Sequence, residues 1–339
     1  MTAPVLSVRD LVVEFDTPHA DRAPLRVIDG VSFDVVAGEV LGIVGESGSG
    51  KSVTMLAVMG LLPGGQARIA SGEVWFNDTR IDTLPFAGLS ALRGGAISMI
   101  FQDPMTSLNP VSRVGRQIAE AIRLHQPDLN RAGIKDRVME LLDLVGVPDA
   151  ATRMRQFPHE FSGGMRQRVM IAMAIANEPK LLIADEPTTA LDVTIQAQVM
   201  DLLAEVRERT SASMILITHD LGLVAEVADR VAVMYSGRIA EMGPVDALFD
   251  APAHPYTAGL MRSLPILAGG RARLWSIPGQ PPDVFSRPSG CAFHPRCSLA
   301  QEHPVCAADL PQLSGPKTHR AACHFAADVP AWIAAEDTV

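Results

Sequence analysis

The sequence predicts an α/β fold in which a mostly parallel sheet carries a phosphate-binding loop. The segment Gly45-Glu-Ser-Gly-Ser-Gly-Lys-Ser52 lies between an apolar run of strand type and a helical run. A strand, a glycine-rich turn and a helix in this order are typical of a phosphate cradle. Strand-like and helix-like segments then alternate as far as residue 241, and this alternation favours a mostly parallel sheet with right-handed connections.

We expect each residue of this loop to have its own role in binding phosphate. Gly45, Gly48 and Gly50 allow backbone dihedral angles that side chains would forbid, so that successive N–H groups form an anion nest at a helix N-terminus. Lys51 supplies a positive charge for the β- and γ-phosphates, and the Ser52 hydroxyl is a ligand for Mg²⁺. The alternative, a glycine-rich turn that binds nothing, is disfavoured by the Lys-Ser pair in this context. The predicted nucleotide contacts are Gly45, Glu46, Ser47, Gly48, Ser49, Gly50, Lys51, Ser52 and Val53.

Composition and charge exclude several classes of protein. The chain has 339 residues, which suggests two or three domains, and 47% hydrophobic residues, which can bury a sizeable core. A net charge of −9 argues against a nucleic-acid partner. No run of 18 apolar residues exists, and the N-terminal residues lack the layout of a signal peptide. We therefore expect a cytosolic protein whose membrane role depends on a partner.

Hydrophobic spacing predicts the order of the elements. The predicted strands span residues 5–15, 25–36, 39–44, 74–76, 96–101, 181–184, 214–218, 231–235 and 238–241. The predicted helices span residues 53–59, 114–124, 135–145, 165–177, 193–209 and 221–228. Residues 102–110 are predicted to form a loop, and the helices that follow it form an insertion before the strand at 181–184.

Two further segments contain residues suited to catalysis or to ligand binding. Asp185 and Glu186 end a continuous apolar strand, at the edge where α/β sheets bind their ligands. Asp185 is suited to hold Mg²⁺, and Glu186 to polarise an attacking water as a general base. The alternative is an acidic pair that caps the next turn. Ser162 precedes Gly163 and Gly164 at a helix start, and this pattern predicts a second anion-binding helix N-terminus.

Short motifs follow the phosphate loop at intervals along the chain. They are Phe101-Gln102, Ser162-Gly-Gly164, Ile183-Ala-Asp-Glu186, Ala190-Leu-Asp192 and Thr218-His219. In this order they resemble the nucleotide-binding subunit of an ABC transporter. The resemblance implies a P-loop NTPase of ABC ATPase type, with a helical insertion subdomain at about 104–176 and an ATPase domain over 1–250.

Longer stretches narrow the resemblance. They are Phe101-Gln-Asp-Pro-Met-Thr-Ser-Leu-Asn-Pro110, Pro158-His-Glu-Phe-Ser-Gly-Gly-Met165, Ala184-Asp-Glu-Pro-Thr-Thr-Ala-Leu-Asp-Val-Thr194 and His254-Pro-Tyr-Thr257. They are similar to the ATPase subunits of dipeptide and oligopeptide importers, and the similarity covers nearly the whole chain. It implies ATP hydrolysis with Mg²⁺ on the cytoplasmic face of the membrane. The implied partners are two permease subunits, a second ATPase chain and an extracytoplasmic peptide-binding protein.

The resemblance also assigns roles to single residues. Gln102 senses the γ-phosphate, and it contributes to the Mg²⁺ site with Ser52 and Asp185. Glu186 is the general base, and His219 contacts the γ-phosphate and orders the attacking water. These catalytic roles imply an enzyme that is complete in its own half of the site.

Other implied roles concern contacts with a second ATPase chain and with adenine. Ser162, Gly163 and Gly164 cap the γ-phosphate of ATP held by the opposite subunit, and Asp192 lies where the two subunits meet. Phe15 stacks on adenine, the alternative being a plain core aromatic. The sequence departs from the common family pattern at Phe161 and Met165, which flank the Ser-Gly-Gly triplet. The γ-phosphate contacts come from Ser162 and the glycine backbone, so we expect them to survive both changes.

All four cysteines lie in a proline-rich segment, predicted as a loop-rich module over 251–339. Five, eight and sixteen residues separate Cys291, Cys297, Cys306 and Cys323 in turn. No Cys-x-x-Cys pair occurs, so a zinc ribbon is not indicated. The resemblance favours a [4Fe–4S] cluster, with a structural Zn²⁺ or free thiols as alternatives. His294, His303, His319 and His324 are possible substitute ligands.

Two other functions are compatible with parts of the sequence. An importer for nickel, glutathione or another small solute shares the same tail. A soluble ABC ATPase of DNA repair or translation usually carries two cassettes or a basic insertion, whereas this chain has one phosphate loop and a negative charge.

Overall fold

A computed structural model describes residues 3–17, 23–189, 192–264 and 276–336. The chain divides into two compact units. The first unit comprises Met1–Leu6, Val35–Glu39 and Thr83–Ile217. The second unit comprises Ser7–Asp34, Val40–Asp82 and Thr218–Val339.

Strands and helices alternate through most of the chain. The strands are β1 (Pro4–Phe15), β2 (Leu25–Val36), β3 (Val40–Val44), β4 (Ala67–Phe76), β5 (Thr79–Arg80), β6 (Ile97–Ile100), β7 (Leu181–Asp185), β8 (Ser213–Thr218), β9 (Arg230–Tyr235), β10 (Arg238–Pro244) and β11 (Arg320–Ala321). The helices are α1 (Lys51–Val58), α2 (Phe86–Leu92), α3 (Pro104–Ser107), α4 (Val114–His125), α5 (Arg131–Leu144), α6 (Ala150–Arg153), α7 (Gly163–Ala174), α8 (Val193–Thr210), α9 (Leu221–Val227), α10 (Val245–Asp250), α11 (Pro255–Arg262), α12 (Val305–Ala308) and α13 (Val329–Glu336).

The first unit is built on three parallel strands. β7 pairs with β6 on one side and β8 on the other, in registers that align Ile97 with Leu181 and Leu181 with Ser213. Every residue of the three strands is buried, as their continuous apolar runs predict for strands covered on both faces. Helices α4, α5 and α7 pack on one another. On α4, Val114, Ile118 and Ile122 recur every four residues and are fully buried.

The second unit contains the strand that leads into the phosphate loop. β3 pairs with β9 in parallel, and β9 forms an antiparallel hairpin with β10. The hairpin turns at Ser236 and Gly237, whose φ angles are 47° and 77°, as a two-residue turn of type I′ requires. β11 then pairs with β10, so a piece of the C-terminal tail extends this sheet. The two residues of β11 are too few for a pattern and were not predicted.

A second sheet, in the order β2-β1-β4-β5, was also not predicted as a separate sheet. The sequence predicted only residues 74–76 as strand where β4 begins at Ala67. The added part of β4 is half exposed and contains Gly72, where φ is 100°. A Cβ at Gly72 would lie 2.6 Å from the backbone oxygen of Asp10. The glycine therefore lets two backbones approach closely, a contact that hydrophobic spacing does not reveal.

The remaining predicted elements are confirmed to within a few residues, with one exception. The predicted loop at 102–110 contains the short helix α3. Within the described parts of the C-terminal tail, the helices are eight residues long or shorter, as the frequent prolines predict. Among the described residues, we find no helix whose length and apolar character would let it span a membrane. The domain boundary at residue 250 stays a prediction.

Candidate functional site: a phosphate loop and a strand-end carboxylate pair

The phosphate loop joins β3 to α1 in the second unit. All five residues of β3 are buried, and the helix begins at Lys51. At Gly45 φ is 153°, and an added Cβ would lie 2.2 Å from the backbone oxygen of Met234. At Gly50 φ is 102°, and a Cβ would lie 2.5 Å from the Ile28 side chain. The backbone clash excludes a side chain at position 45, and the positive φ disfavours one at position 50.

Within the loop, the Lys51 ammonium lies against backbone oxygens. Its Nζ donates to the oxygen of Gly45 at 2.7 Å and to that of Glu46 at 3.1 Å. The Ser49 hydroxyl is buried and finds no hydrogen-bond partner among the residues that the structure describes. A buried ammonium and an unmatched hydroxyl beside a helix N-terminus fit an anionic ligand such as a nucleotide phosphate.

The acidic pair ends β7 in the first unit. Asp185 is the last residue of the strand and is 4% exposed. Glu186 has a positive φ of 46°, a backbone conformation that costs free energy in a residue with a side chain. Its Oε2 accepts hydrogen bonds from Gln102 Nε2 at 2.9 Å and from Thr189 Oγ1 at 2.8 Å. Two of the predicted catalytic residues, Gln102 and Glu186, are thus in direct contact.

The predicted signature segment begins helix α7, also in the first unit. The Ser162 hydroxyl accepts a hydrogen bond from the Met165 N–H, as an N-cap does. Ser162 and Gly163 are exposed, and a Cβ at Gly163 would meet no atom within 4 Å. Phe161, one departure from the family pattern, is 3% exposed. Its side chain packs into the interior, and the N-cap at Ser162 is intact beside it.

The other predicted site residues lie at element ends. Asp192 is exposed and caps α8 by accepting from the Ile195 N–H at 3.0 Å. Its neighbours in the motif, Ala190 and Leu191, lie outside the described residues. His219 is exposed and directly follows β8. Phe15 ends β1 and is half-buried, which is compatible with either of its two expected roles.

All four cysteines line one cavity in the second unit, which we call the cysteine cavity. Each thiol is free. Burial raises the pKa of Cys297 to about 11 and that of Cys323 to about 12. The Phe325 N–H donates to Cys323 Sγ at 3.4 Å and opposes this effect at that thiol.

Binding of a metal ion requires side chains that are grouped more closely than lining the same cavity requires. Among the described residues, no three His, Cys, Asp or Glu side chains are grouped closely enough to hold a metal ion. The four cysteines nevertheless line one cavity, and Cys323 Sγ accepts a backbone N–H. His294 and His324 also line the cavity.

Two residues near the phosphate loop were missed by the sequence analysis. Tyr256 and Arg296 both contact Glu46. Tyr256 belongs to the His254-Pro-Tyr-Thr257 motif, to which no role had been given, and Arg296 directly precedes Cys297. Their distance from the loop in sequence, 210 and 250 residues, left no local signal for these contacts.

Solved structures with the same fold identify the class of protein. A dimeric ATP-binding cassette, MJ0796, in a post-hydrolysis state bound to ADP and Pi, matches with a TM-score of 0.62 and 24% identity. The match covers 71% of this chain and 98% of that one. The cbiO1 protein from Clostridium perfringens, part of the ABC transporter complex cbiONQ, matches with a TM-score of 0.61 and 28% identity, covering 73% and 91%. The fold and its phosphate loop therefore define an ATP-binding cassette of the P-loop class, as predicted.

Sequence comparisons narrow this class to a family. Residues 28–189 match the ABC transporter family, and residues 240–306 match the family described as oligopeptide/dipeptide transporter, C-terminal region. The dipeptide transport ATP-binding protein DppD of Haemophilus influenzae is 51% identical over 94% of this chain and 95% of its own length. That of Escherichia coli is 49% identical over 96% and 97%. The chain belongs to this family of ATP-binding proteins of the ABC transporter class.

Proposed function

We propose that this protein hydrolyses ATP to power the import of dipeptides or oligopeptides. The hydrogen bond between Gln102 and Glu186, at 2.9 Å, supports this proposal most directly. It joins the residue proposed to sense the γ-phosphate to the residue proposed as the general base. Relatives of about 50% identity are named as dipeptide transport ATP-binding proteins, and this supports the peptide substrate.

The proposed chemistry gives each predicted site residue a separate role. Phosphoryl transfer to water depends on positioning and on neutralising charge more than on covalent chemistry. Lys51 exchanges its backbone oxygen partners for the β- and γ-phosphates, while Glu186 polarises the attacking water and His219 orders it. Ser52, Gln102 and Asp185 would hold Mg²⁺, which supplies charge neutralisation on the phosphates when bound.

A second ATPase chain is proposed to complete each site. The exposed start of α7, with Ser162 capping the helix and open space around Gly163, can accept the γ-phosphate of ATP held by another subunit. Asp192, exposed at the start of α8, would lie at the same contact. ATP then holds two chains together and hydrolysis releases them, which is the motion a transporter needs.

Further partners follow from the proposed role. Two permease subunits would form the path through the membrane, with the ATPase chains on its cytoplasmic face and an extracytoplasmic protein delivering peptide. A nickel or glutathione importer is the alternative, because substrate selectivity lies in those other chains. A soluble ATPase of DNA repair is disfavoured, since dipeptide transport proteins match over more than nine-tenths of this chain.

We expect a Glu186→Gln variant to bind ATP without turning it over. The amide keeps the shape of the side chain but removes the base, and loss of a general base lowers rates by about 10²- to 10⁴-fold. Steady-state phosphate release would measure turnover, and sedimentation with ATP would detect a trapped dimer. Glu226→Gln, on the exposed surface of α9, is the matched control and should hydrolyse ATP normally. Unchanged hydrolysis in Glu186→Gln would remove Glu186 as the base.

The cysteine cavity is proposed to hold a [4Fe–4S] cluster, with a structural Zn²⁺ as the alternative. Cys291, Cys297, Cys306 and Cys323 would be the ligands. Support comes from the four cysteines that line one cavity and from the Phe325 N–H that donates to Cys323 Sγ at 3.4 Å. The group would act as a structural staple, since hydrolysis of ATP requires no redox step.

A further inference from the structure

The first half of the phosphate loop is held by a residue from the C-terminal tail. The Arg296 guanidinium pairs with the Glu46 carboxylate through two bonds, Nη1 to Oε2 at 2.7 Å and Nη2 to Oε1 at 3.0 Å. The Arg296 side chain is 6% exposed and that of Glu46 is 25% exposed. A bidentate and largely buried pair of this kind fixes the orientation of both groups.

A second contact fixes the backbone at the same residue. The Glu46 N–H donates to the Tyr256 hydroxyl at 2.8 Å. Tyr256 is fully buried, and its own N–H donates to Nδ1 of His254 at 3.0 Å. Burial raises the pKa of Tyr256, so its hydroxyl stays neutral while it accepts the bond. Glu46 is therefore held at both its backbone and its side chain.

Arg296 is itself held rigidly. Its Nε donates to the backbone oxygen of Pro278 at 2.9 Å, and its Nη1 contacts the Tyr235 hydroxyl at 3.3 Å. Its guanidinium carbon lies 5.8 Å from the centre of the Phe293 ring and 5.9 Å from that of Tyr235. A side chain fixed on several sides can hold the loop in one position instead of following it.

Glu46 in turn contacts Lys51, the residue that is proposed to bind phosphate. Lys51 Nζ donates to the Glu46 backbone oxygen at 3.1 Å, as well as to that of Gly45. A shift of the peptide at Glu46 therefore moves the partners of the ammonium group. Displacements of about 1 Å in groups that position a substrate can cost about 10²-fold in rate.

We infer that Arg296 is a positioning residue for the phosphate loop, acting on ATP binding through Glu46 from the cysteine-bearing tail. This inference rests on the proposed ATPase function and adds the tail to the parts that set the affinity for ATP. Arg296 directly precedes Cys297, which lines the cysteine cavity. A peptide bond therefore joins a residue of that cavity to Arg296, whose ion pair with Glu46 reaches the loop.

A double-mutant cycle on the full chain tests the inference. We expect Arg296→Gln and Glu46→Gln each to raise the KM for ATP about tenfold, with a smaller change in kcat, because the loop is displaced but the base is kept. The double variant should resemble either single variant, since both remove one interaction. Arg296→Lys keeps the charge but loses the two-pronged geometry, and it should rescue only part of the effect.

The controls distinguish an effect on the position of the phosphate loop from a loss of protein stability and from a failure of the proposed ATPase function. Arg80→Gln breaks another two-pronged pair of this unit, in which Nε and Nη2 donate to Oδ1 and Oδ2 of Asp82, and should leave the KM for ATP unchanged. Equilibrium binding of a fluorescent ATP analogue gives the affinity of every variant that folds. If Arg296→Gln does not fold, Glu46→Gln alone tests whether loss of the pair lowers the affinity for ATP. Unchanged affinity in the single variants, or effects that multiply in the double variant, would overturn the inference. A wild-type chain that binds the analogue but does not hydrolyse ATP in the presence of its second ATPase subunit and permeases would instead overturn the proposed function.

Discussion

Single residues decide whether the proposed site can form. The roles of some of them can be predicted from the sequence, and those of others cannot. The need for glycine at positions 45 and 50 could be predicted, because a phosphate loop requires unusual backbone angles at fixed spacing. The contacts of a Cβ with Met234 and Ile28 give the physical reason. The left-handed backbone of Glu186 could not be predicted, because tertiary contacts hold a glutamate in that conformation.

His319 and Glu241 provide a prediction at the same scale. Glu241 is fully buried, and its Oε1 lies 2.7 Å from His319 Nε2. The hydrogen bond to Glu241 raises the pKa of His319. A raised pKa means that the stabilisation is complete below the unfolded value of about 6.5 and is lost as pH rises through the folded value. We expect His319→Gln to lower the free energy of unfolding by about 1 kcal/mol at pH 5.5 and by less at pH 8.

Chemical denaturation of both proteins across this pH range measures the difference. Subtraction of the variant is needed because burial lowers the pKa of His254 to about 4. That shift makes stability fall as pH drops below 6.5, a slope opposite in sign to that of His319. The variant retains His254, so the difference isolates His319. A difference that stayed constant from pH 5.5 to 8 would show that the His319 charge contributes nothing.

Elements were predictable where one physical cause dominates. β7 and β8 could be predicted because parallel strands buried on both faces need continuous apolar runs. α4 could be predicted because its apolar residues repeat at helical spacing. β11 and α3 were missed, since each is too short for a periodic signal and depends on what it packs against. The described residues of the tail form only short elements, as predicted, but the contacts of the tail with the loop were not predicted.

The cysteine-bearing tail carries a prediction of its own. Protein purified without oxygen should contain about four iron and four sulfide per chain and absorb in the visible range. Cys297→Ser should lose both, because it removes one ligand. Ser286→Ala, an exposed position of the same tail, should retain both.

Metal analysis with the visible spectrum distinguishes the alternatives. About one zinc per chain would replace the cluster with a tetrahedral staple. Neither metal, in protein kept free of oxygen and chelators, would contradict both proposals and leave four free thiols whose burial keeps them protonated.

At the scale of the whole molecule, the family could be predicted because its motifs keep a fixed order along the chain. The fold, and relatives covering more than nine-tenths of the sequence, confirm that prediction. The links between distant segments could not be predicted in the same way. Glu46 and Arg296 are 250 positions apart, and neither residue type signals the other. Contacts of this kind join the C-terminal tail to the phosphate loop.

The most direct test of the central claim is peptide uptake by vesicles that carry the complete transporter. The chain would be combined with its permeases, its second ATPase subunit and its peptide-loaded binding protein, and dipeptide uptake and phosphate release would be followed together. We predict that peptide stimulates hydrolysis and that Glu186→Gln in this chain abolishes or strongly reduces both uptake and hydrolysis. Hydrolysis that ignores peptide, or uptake that persists at the wild-type rate in the variant, would contradict the claim that this ATPase powers peptide import.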